Sequence, residues 1–232
     1  MGVLIEGLKE AIILIITLDS GVIEIILTSL QVTGTALFFA ALIGIPLGAF
    51  LGLNDFPGKS IIVAGLYTGM GFPPVVIGLL VFIFFSSSGL LGGLNWLYTT
   101  RAMIVAQTII AFPLIAGFTM TAVSSVDQNL IIQLRSLGAT RKQILFTILK
   151  ESRLGVLISV IAGFGAIISE VGAVMLVGGN IENATRVLTT AIVLETRRGN
   201  FGYAISFGII LLSITFVVNL CMSNLPGRGG GK

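Results

Sequence analysis

The chain has no histidine, a single cysteine and charge on only 10% of its 232 residues. Each shortage removes a class of function. Without histidine, the side chain best suited to acid–base work near neutral pH and the commonest metal ligand are both missing, so zinc, haem and histidine-based catalysis are not expected. Cys221 has no partner for a disulfide within the chain and cannot by itself build a thiolate metal site. No catalytic residue, metal, bound cofactor or nucleic-acid partner is expected of this protein.

Apolar residues fill the space left by charge. They make up 55% of the sequence, and the mean hydropathy is +1.08, far from the usual globular mix. This is the composition of an all-α polytopic membrane protein. At about 20 residues per span the chain has room for five or six crossings in a single transmembrane domain over residues 1–232. Apolar runs place spans near 22–53, 60–87, 102–123, 155–177 and 201–222. Glu6, Lys9 and Glu10 interrupt the run before them, so Val3 to Leu18 is expected as an interfacial helix. If that segment crosses, the count becomes six. The start lacks a basic region and a small-residue cleavage site, so no removable signal peptide is expected.

Ala36, Ala40, Gly44, Gly48 and Gly52 recur every fourth residue, a small-residue stripe that lets helices approach closely. GLNDFPGKS invites a phosphate-loop reading, but five residues separate Gly52 from Gly58 and no strand precedes them, so that geometry cannot form. Pro73 and Pro74 fall within the second span, where they remove two backbone donors and kink or break the helix. Such a break either serves packing or lines a cavity. Glu170 is the one acidic residue deep in a span, about 22 Å along the fourth helix at helical rise. An intramembrane ionisable group is a functional candidate.

The segment 127–153 holds Arg135, Arg141, Lys142, Lys150 and Arg153, the densest basic cluster in the chain. It reads as two short helices around a turn. Leu130, Ile131, Leu134 and Leu137 share one face, Gly138 ends the first helix, and Thr140-Arg141-Lys142-Gln143 has the form of a capping box that opens the second. Ile144, Leu145, Ile148 and Leu149 form a second apolar face. Positive loops stay inside, so this segment, 54–59 and the carboxyl end are expected on the cytoplasmic side, and 178–200 outside.

The stretch SLGATRKQILFTILKES resembles the cytoplasmic coupling loop of ATP-binding-cassette (ABC) importer permeases, where a glycine is followed at fixed spacing by a branched apolar residue; Gly138 and Ile148 take those places. Ile132-Gln133-Leu134 stands where that pattern has Glu-Ala-Ala, and Lys150-Glu151 where it has Leu-Pro. TSLQVTGTALFFAALIGIPLGAFLG, GFPPVVIGLLVFIFFSSSGLLG and above all ISEVGAVMLVGGNIENATRVLTTAIVLETRRGNFGYA are similar to tungstate permease subunits, close relatives of molybdate permeases.

The resemblance implies a type I ABC importer permease fold in a prokaryotic cell membrane, a homodimeric pore, an external tungstate- or molybdate-binding protein and a pair of ATPase subunits that use the ATP. Gly138, Ala139, Thr140, Arg141, Ile144 and Ile148 are then expected to couple to the ATPase. Pro73, Pro74, Glu170, Gly178, Gly179, Asn180, Thr185, Arg186, Thr189 and Thr190 are expected along the path or at an external gate over 178–200. Arg186 and the threonines would offer donors to an anion, and Gly178 to Asn180 would offer backbone N–H groups. A bare carboxylate would repel the cargo, so Glu170 is expected to be neutral or paired, with Arg186 a candidate partner. Molybdate or another oxyanion is the alternative cargo. An ion-coupled secondary carrier is the alternative class, although inverted repeats and paired intramembrane charges are not evident.

Overall fold

In hydrocarbon a backbone must satisfy its own N–H and C=O groups, and a helix does so within one segment. The computed structural model describes Ile13 and residues 20–224, and among them every regular element is helical. The expected interfacial helix at Val3 to Leu18 lies outside the described residues apart from Ile13. In chain order the helices are α1 (Ser20–Leu53), α2 (Lys59–Met70), α3 (Pro74–Phe85), α4 (Thr100–Ser124), α5 (Gln128–Ser136), α6 (Arg141–Glu151), α7 (Arg153–Ile168), α8 (Gly172–Gly178), α9 (Leu188–Arg198) and α10 (Phe201–Asn224). A single 3-10 turn, Gly92–Leu94, interrupts the α3–α4 connection.

α4 is the axis of the bundle. Ala102, Met103, Ala106, Ala111, Ile115 and Ala116 along it are fully buried. α1 runs parallel beside it, and the small-residue stripe is the contact. A side-chain carbon at Gly44 would lie 3.1 Å from Ile115, one at Gly48 2.8 Å from Thr119, and one at Gly52 2.8 Å from Val123. The fourfold spacing is therefore a packing face that any larger residue would wedge apart.

Among the described residues α1, α4 and α10 are each long and apolar enough to cross a membrane, and the number is five if each of two bent pairs, α2 with α3 and α7 with α8, counts as one span. The contacts show that each pair runs the length of α4. Leu66 of α2 packs with Leu51 and Met120 near the carboxyl end of α4, whereas Val81 and Phe85 of α3 pack with Ala102 and Met103 at its start. Likewise a carbon at Gly155 of α7 would strike Ala122, while Val174 and Val177 of α8 lie against Ala102 and Met103. The bends measure 100° in the first pair and 60° in the second.

α5 and α6 form a hairpin at the end of the bundle where α1 finishes. Ile144 and Ile148 are buried against Ala49 and Val123, with Leu53, Leu130, Ile131, Leu134, Leu145 and Leu149 packed around them. Leu137 departs from the face expected of it, since it is 84% exposed beyond the last turn of α5. At the opposite end, the segment expected at an external gate contains the helix α9 over 188–198; Leu188, Thr189, Thr190 and Ala191 of its first turn are buried, Leu188 and Ala191 against α1 and α10. Val22, Leu188, Ala191, Phe207 and Ile210 make that contact.

A broken-helix face and an amphipathic hairpin

The two helix breaks meet. A carbon added at Gly78 of α3 would lie 2.5 Å from the Cα of Ala173 in α8, and one at Gly172 would touch Val75. Pro74 opens α3 at its first position, where its missing N–H removes no helical bond, and Pro73 before it is extended, with φ −60° and ψ 121°. The prolines thus break the span outright. In the second break Oε1 of Glu170 accepts the N–H of Ala173 at 2.8 Å, so the intramembrane carboxylate caps α8. Gly71, Phe72, Pro73 and Ser169 around the breaks are exposed. Interrupted backbone therefore sits on one open face of the bundle.

Buried polar side chains tie this face to its surroundings. Nε2 of Gln107, in the middle of α4, donates to the carbonyl of Ile167 at 3.0 Å, satisfying a carbonyl freed at the end of α7. Thr189 donates to the carbonyl of Glu170 at 2.9 Å. Oγ of Ser29 donates to Ile25 at 2.7 Å and accepts the N–H of Leu188 at 2.8 Å, which holds the start of α9 against α1. Gln107 and Ser29 were legible as polar residues inside apolar runs, a signal of interhelical hydrogen bonding. They are absent from the residues expected along the path.

The other expected path residues divide. Thr185 donates to Gly178 at 2.5 Å and accepts from Ile181, and Thr190 donates to Val187 and accepts from its N–H. With Thr189 already bonded, none of the three hydroxyls faces a path as a free donor in this conformation. Gly178 and Gly179 are close-approach positions: a side-chain carbon would lie 2.8 Å from the sulfur of Met103 and 2.9 Å from Tyr98. Gly179 and Asn180 turn the chain at φ 72° and 52°, and the N–H of Gly179 closes α8 on Met175.

Arg186 does not reach Glu170 as a partner. Its NH1 group pairs with Glu182 at 3.3 Å, and its side chain is only 15% exposed. It lines a small cavity, about 40 Å³, together with Glu24 and Thr28 of α1 and Glu182. The pair with Glu182 lies within the loop itself, and Nε of Arg186 is buried without a hydrogen-bond partner.

In the hairpin the local sequence signals are realised bond by bond. Gly138 has φ 77°, its N–H bonds to Arg135, and the N–H of Ala139 reaches the carbonyl of Leu134 at 3.0 Å, the Schellman pattern. Gln143 Oε1 then accepts the N–H of Thr140 at 2.7 Å while Thr140 Oγ1 accepts that of Gln143, completing the capping box. Ile144 and Ile148, expected at the ATPase, face the membrane domain because their spacing puts them on the buried stripe of α6. They anchor the hairpin. Its outward surface carries Ile132, Leu137 and Phe146, 59%, 84% and 71% exposed, beside Lys142, whereas Arg141, also exposed, lines the cleft between the hairpin and α1. Exposed apolar groups amid basic ones suit contact with another protein.

Residues 44–228 match the family described as binding-protein-dependent transport system inner membrane component. The chain is 40% identical over 217 residues to a probable anion ABC transporter permease protein of Haloferax volcanii, covering 90% of this chain and 94% of that one. It is 39% identical over 220 residues to the tungstate uptake system permease protein TupB of Peptoclostridium acidaminophilum, covering 95% and 96%. Its fold matches a chain of the MetNI methionine ABC transporter in an inward-facing conformation, with a TM-score of 0.72 at 21% identity over 91% of this chain and 95% of that one. By sequence and fold alike, the chain belongs to the binding-protein-dependent transport system inner membrane components, the permease subunits of ABC importers.

Proposed function

We propose that two copies of this chain enclose the pathway of an ATP-driven importer for a doubly charged oxyanion, with tungstate the cargo and molybdate the nearest alternative. ATPase subunits engage the α5–α6 hairpin on the cytoplasmic side, and a binding protein delivers the anion at the side of α9. Full-length similarity to a tungstate uptake permease and to an anion permease supports the cargo class. The observation that carries the architecture is the exposed face on which both helix breaks lie. Interrupted backbone cannot rest against lipid, so that face belongs against a second copy, around a water-filled route.

The chain itself breaks no bond. ATP closing the ATPase pair favours one arrangement of the hairpins, and the permease follows as a population shift driven by differential binding. The test is reconstitution of the permease with its ATPase and binding protein in liposomes, with tungstate, molybdate and sulfate offered separately. ATP-dependent accumulation of tungstate is expected. Uptake of none of these oxyanions by an assembly that hydrolyses ATP would overturn the cargo assignment. Separately, Phe72→Cys in a Cys221→Ser background should link two copies through a short thiol-reactive spacer; monomers alone would refute the shared face.

A further inference from the structure

Between the end of α1 and the hairpin lies a cleft of about 640 Å³. Its walls have two characters. Pro46, Phe50 and Leu53 descend along one side of α1, ending at Asn54, and Arg135 and Arg141 close the cleft from the hairpin. Pro46 and Phe50 are exposed on the flank of α1, a helix long and apolar enough to cross a membrane. The segment Pro46 to Asn54 rises about 12 Å, nearly the depth of one leaflet's hydrocarbon, about 15 Å.

The two guanidiniums are uncompensated. Among the described residues neither forms an ion pair or a side-chain hydrogen bond. The nearby carboxylates are placed elsewhere: Asp127 and Glu151 line a separate cleft, and Asp55 pairs with Lys59 at 2.8 Å. Both arginines are exposed, so water and salt screen their mutual repulsion, and an anion between them would be attracted by both. An anion alone would leave the apolar wall unused, and an alkyl chain alone would leave the arginines unpaired.

We propose that this cleft binds an anionic phospholipid, its phosphate held by Arg135 and Arg141 and its proximal acyl chain laid along Phe50 and Pro46. Planar guanidiniums match phosphate oxygens with paired hydrogen bonds. The lipid braces the hairpin against α1 from the membrane side, while Leu137 and Phe146 remain free on the outward surface. Basic pockets between membrane helices are suited to such headgroups. The proposal needs only that the chain lies in a membrane; it is independent of the cargo.

Native mass spectrometry of the full permease, alone and assembled with its ATPase, tests it with phosphatidylglycerol and phosphatidylcholine as probes. The wild type should retain phosphatidylglycerol preferentially. The double variant Arg135→Gln, Arg141→Gln should lose about thirtyfold in apparent affinity, from two basic groups at a charged surface. Arg135→Lys with Arg141→Lys should lose only a few-fold, and Arg197→Gln, at the opposite end, should change nothing. Equal retention by wild type and the double glutamine variant would refute the site. If lipid-free protein binds inorganic phosphate through these arginines while lipid retention is unchanged by their loss, the occupant is a free oxyanion and the proposal fails. Expulsion of the lipid when the ATPase assembles would assign the cleft to the ATPase and fail it equally.

Discussion

Gly138 offers the cleanest test of the hairpin, because its backbone angle and its surroundings separate two effects that usually mix. Its φ is 77°, a conformation that costs a non-glycine residue about 1–2 kcal/mol and is an outlier for a β-branched one. No heavy atom lies within 4 Å of where a side-chain carbon would be, so substitution adds strain without a clash. The buried isoleucines decide what that strain does. Burial of Ile144 and Ile148 contributes about 1.5–3 kcal/mol each, more than the turn loses, so the hairpin stays docked and the turn distorts instead. A penalty of 1–2 kcal/mol changes an equilibrium by about 5–30-fold. Asn, Ala and Val at this position should therefore rank in that order of increasing harm, since asparagine tolerates positive φ best. ATP-driven uptake in reconstituted liposomes should follow the ranking while the amount of assembled permease stays level. Wild-type uptake by Gly138→Val would refute the idea that this turn sets the position of α6.

Gly48→Ala should lower the thermal stability of the purified permease by about 1–3 kcal/mol, because the new carbon meets backbone as well as Thr119, whereas Gly34→Ala, with nothing within 4 Å, should leave the melting curve unmoved. Glu170→Gln keeps an oxygen for the N–H of Ala173 and should sustain uptake. Glu170→Ala removes a cap worth about 1 kcal/mol and should reduce it; a severe loss in the glutamine variant would show that the charge itself matters. Arg186→Gln and Glu182→Gln should cause similar, modest losses of uptake, since a partly exposed pair contributes at most about 1 kcal/mol. Loss of oxyanion uptake in Arg186→Gln alone, with Glu182→Gln normal, would restore Arg186 to the anion's route.

The features legible in the sequence are those written in local chemistry. A glycine at a helix end, a threonine three residues before a glutamine, prolines in an apolar run and small residues every fourth position each specify a geometry within one or two turns, and the structure realises all four. What the sequence hides is partner choice at long range. The bond from Gln107 to the carbonyl of Ile167 joins residues sixty positions apart. Burial of Leu188 and Ala191 depends on α1 and α10, more than a hundred and about twenty residues away in the chain. Ile148 illustrates the same limit within a motif. The spacing from Gly138 is readable, but whether that side chain faces a partner or the bundle is decided by Ala49 and Val123.

The geometry also fixes which element can carry a displacement of the hairpin to the broken face. α6 ends at Glu151 and α7 begins at Arg153, with only Ser152 between them, its hydroxyl bonded back to the carbonyl of Ile148 at 2.8 Å. α7 has 16 residues and extends about 24 Å, ending immediately before Ser169 and Glu170 at the second break. A rigid rod therefore joins the hairpin to the break, and Gly155 and Gly163 pack so closely on Ala122 and Ile115 that it can slide or tilt along α4 but hardly approach it. At its far end the rod meets α8 through a bend rather than a continuous helix, and α8 is locked to α3 by the Gly78–Ala173 contact. The far end of α7 thus lies beside both breaks at once. A straight α7–α8 helix would carry a displacement on to the loop beyond α8; under the proposed function, the bend directs it to the exposed face on which the route lies.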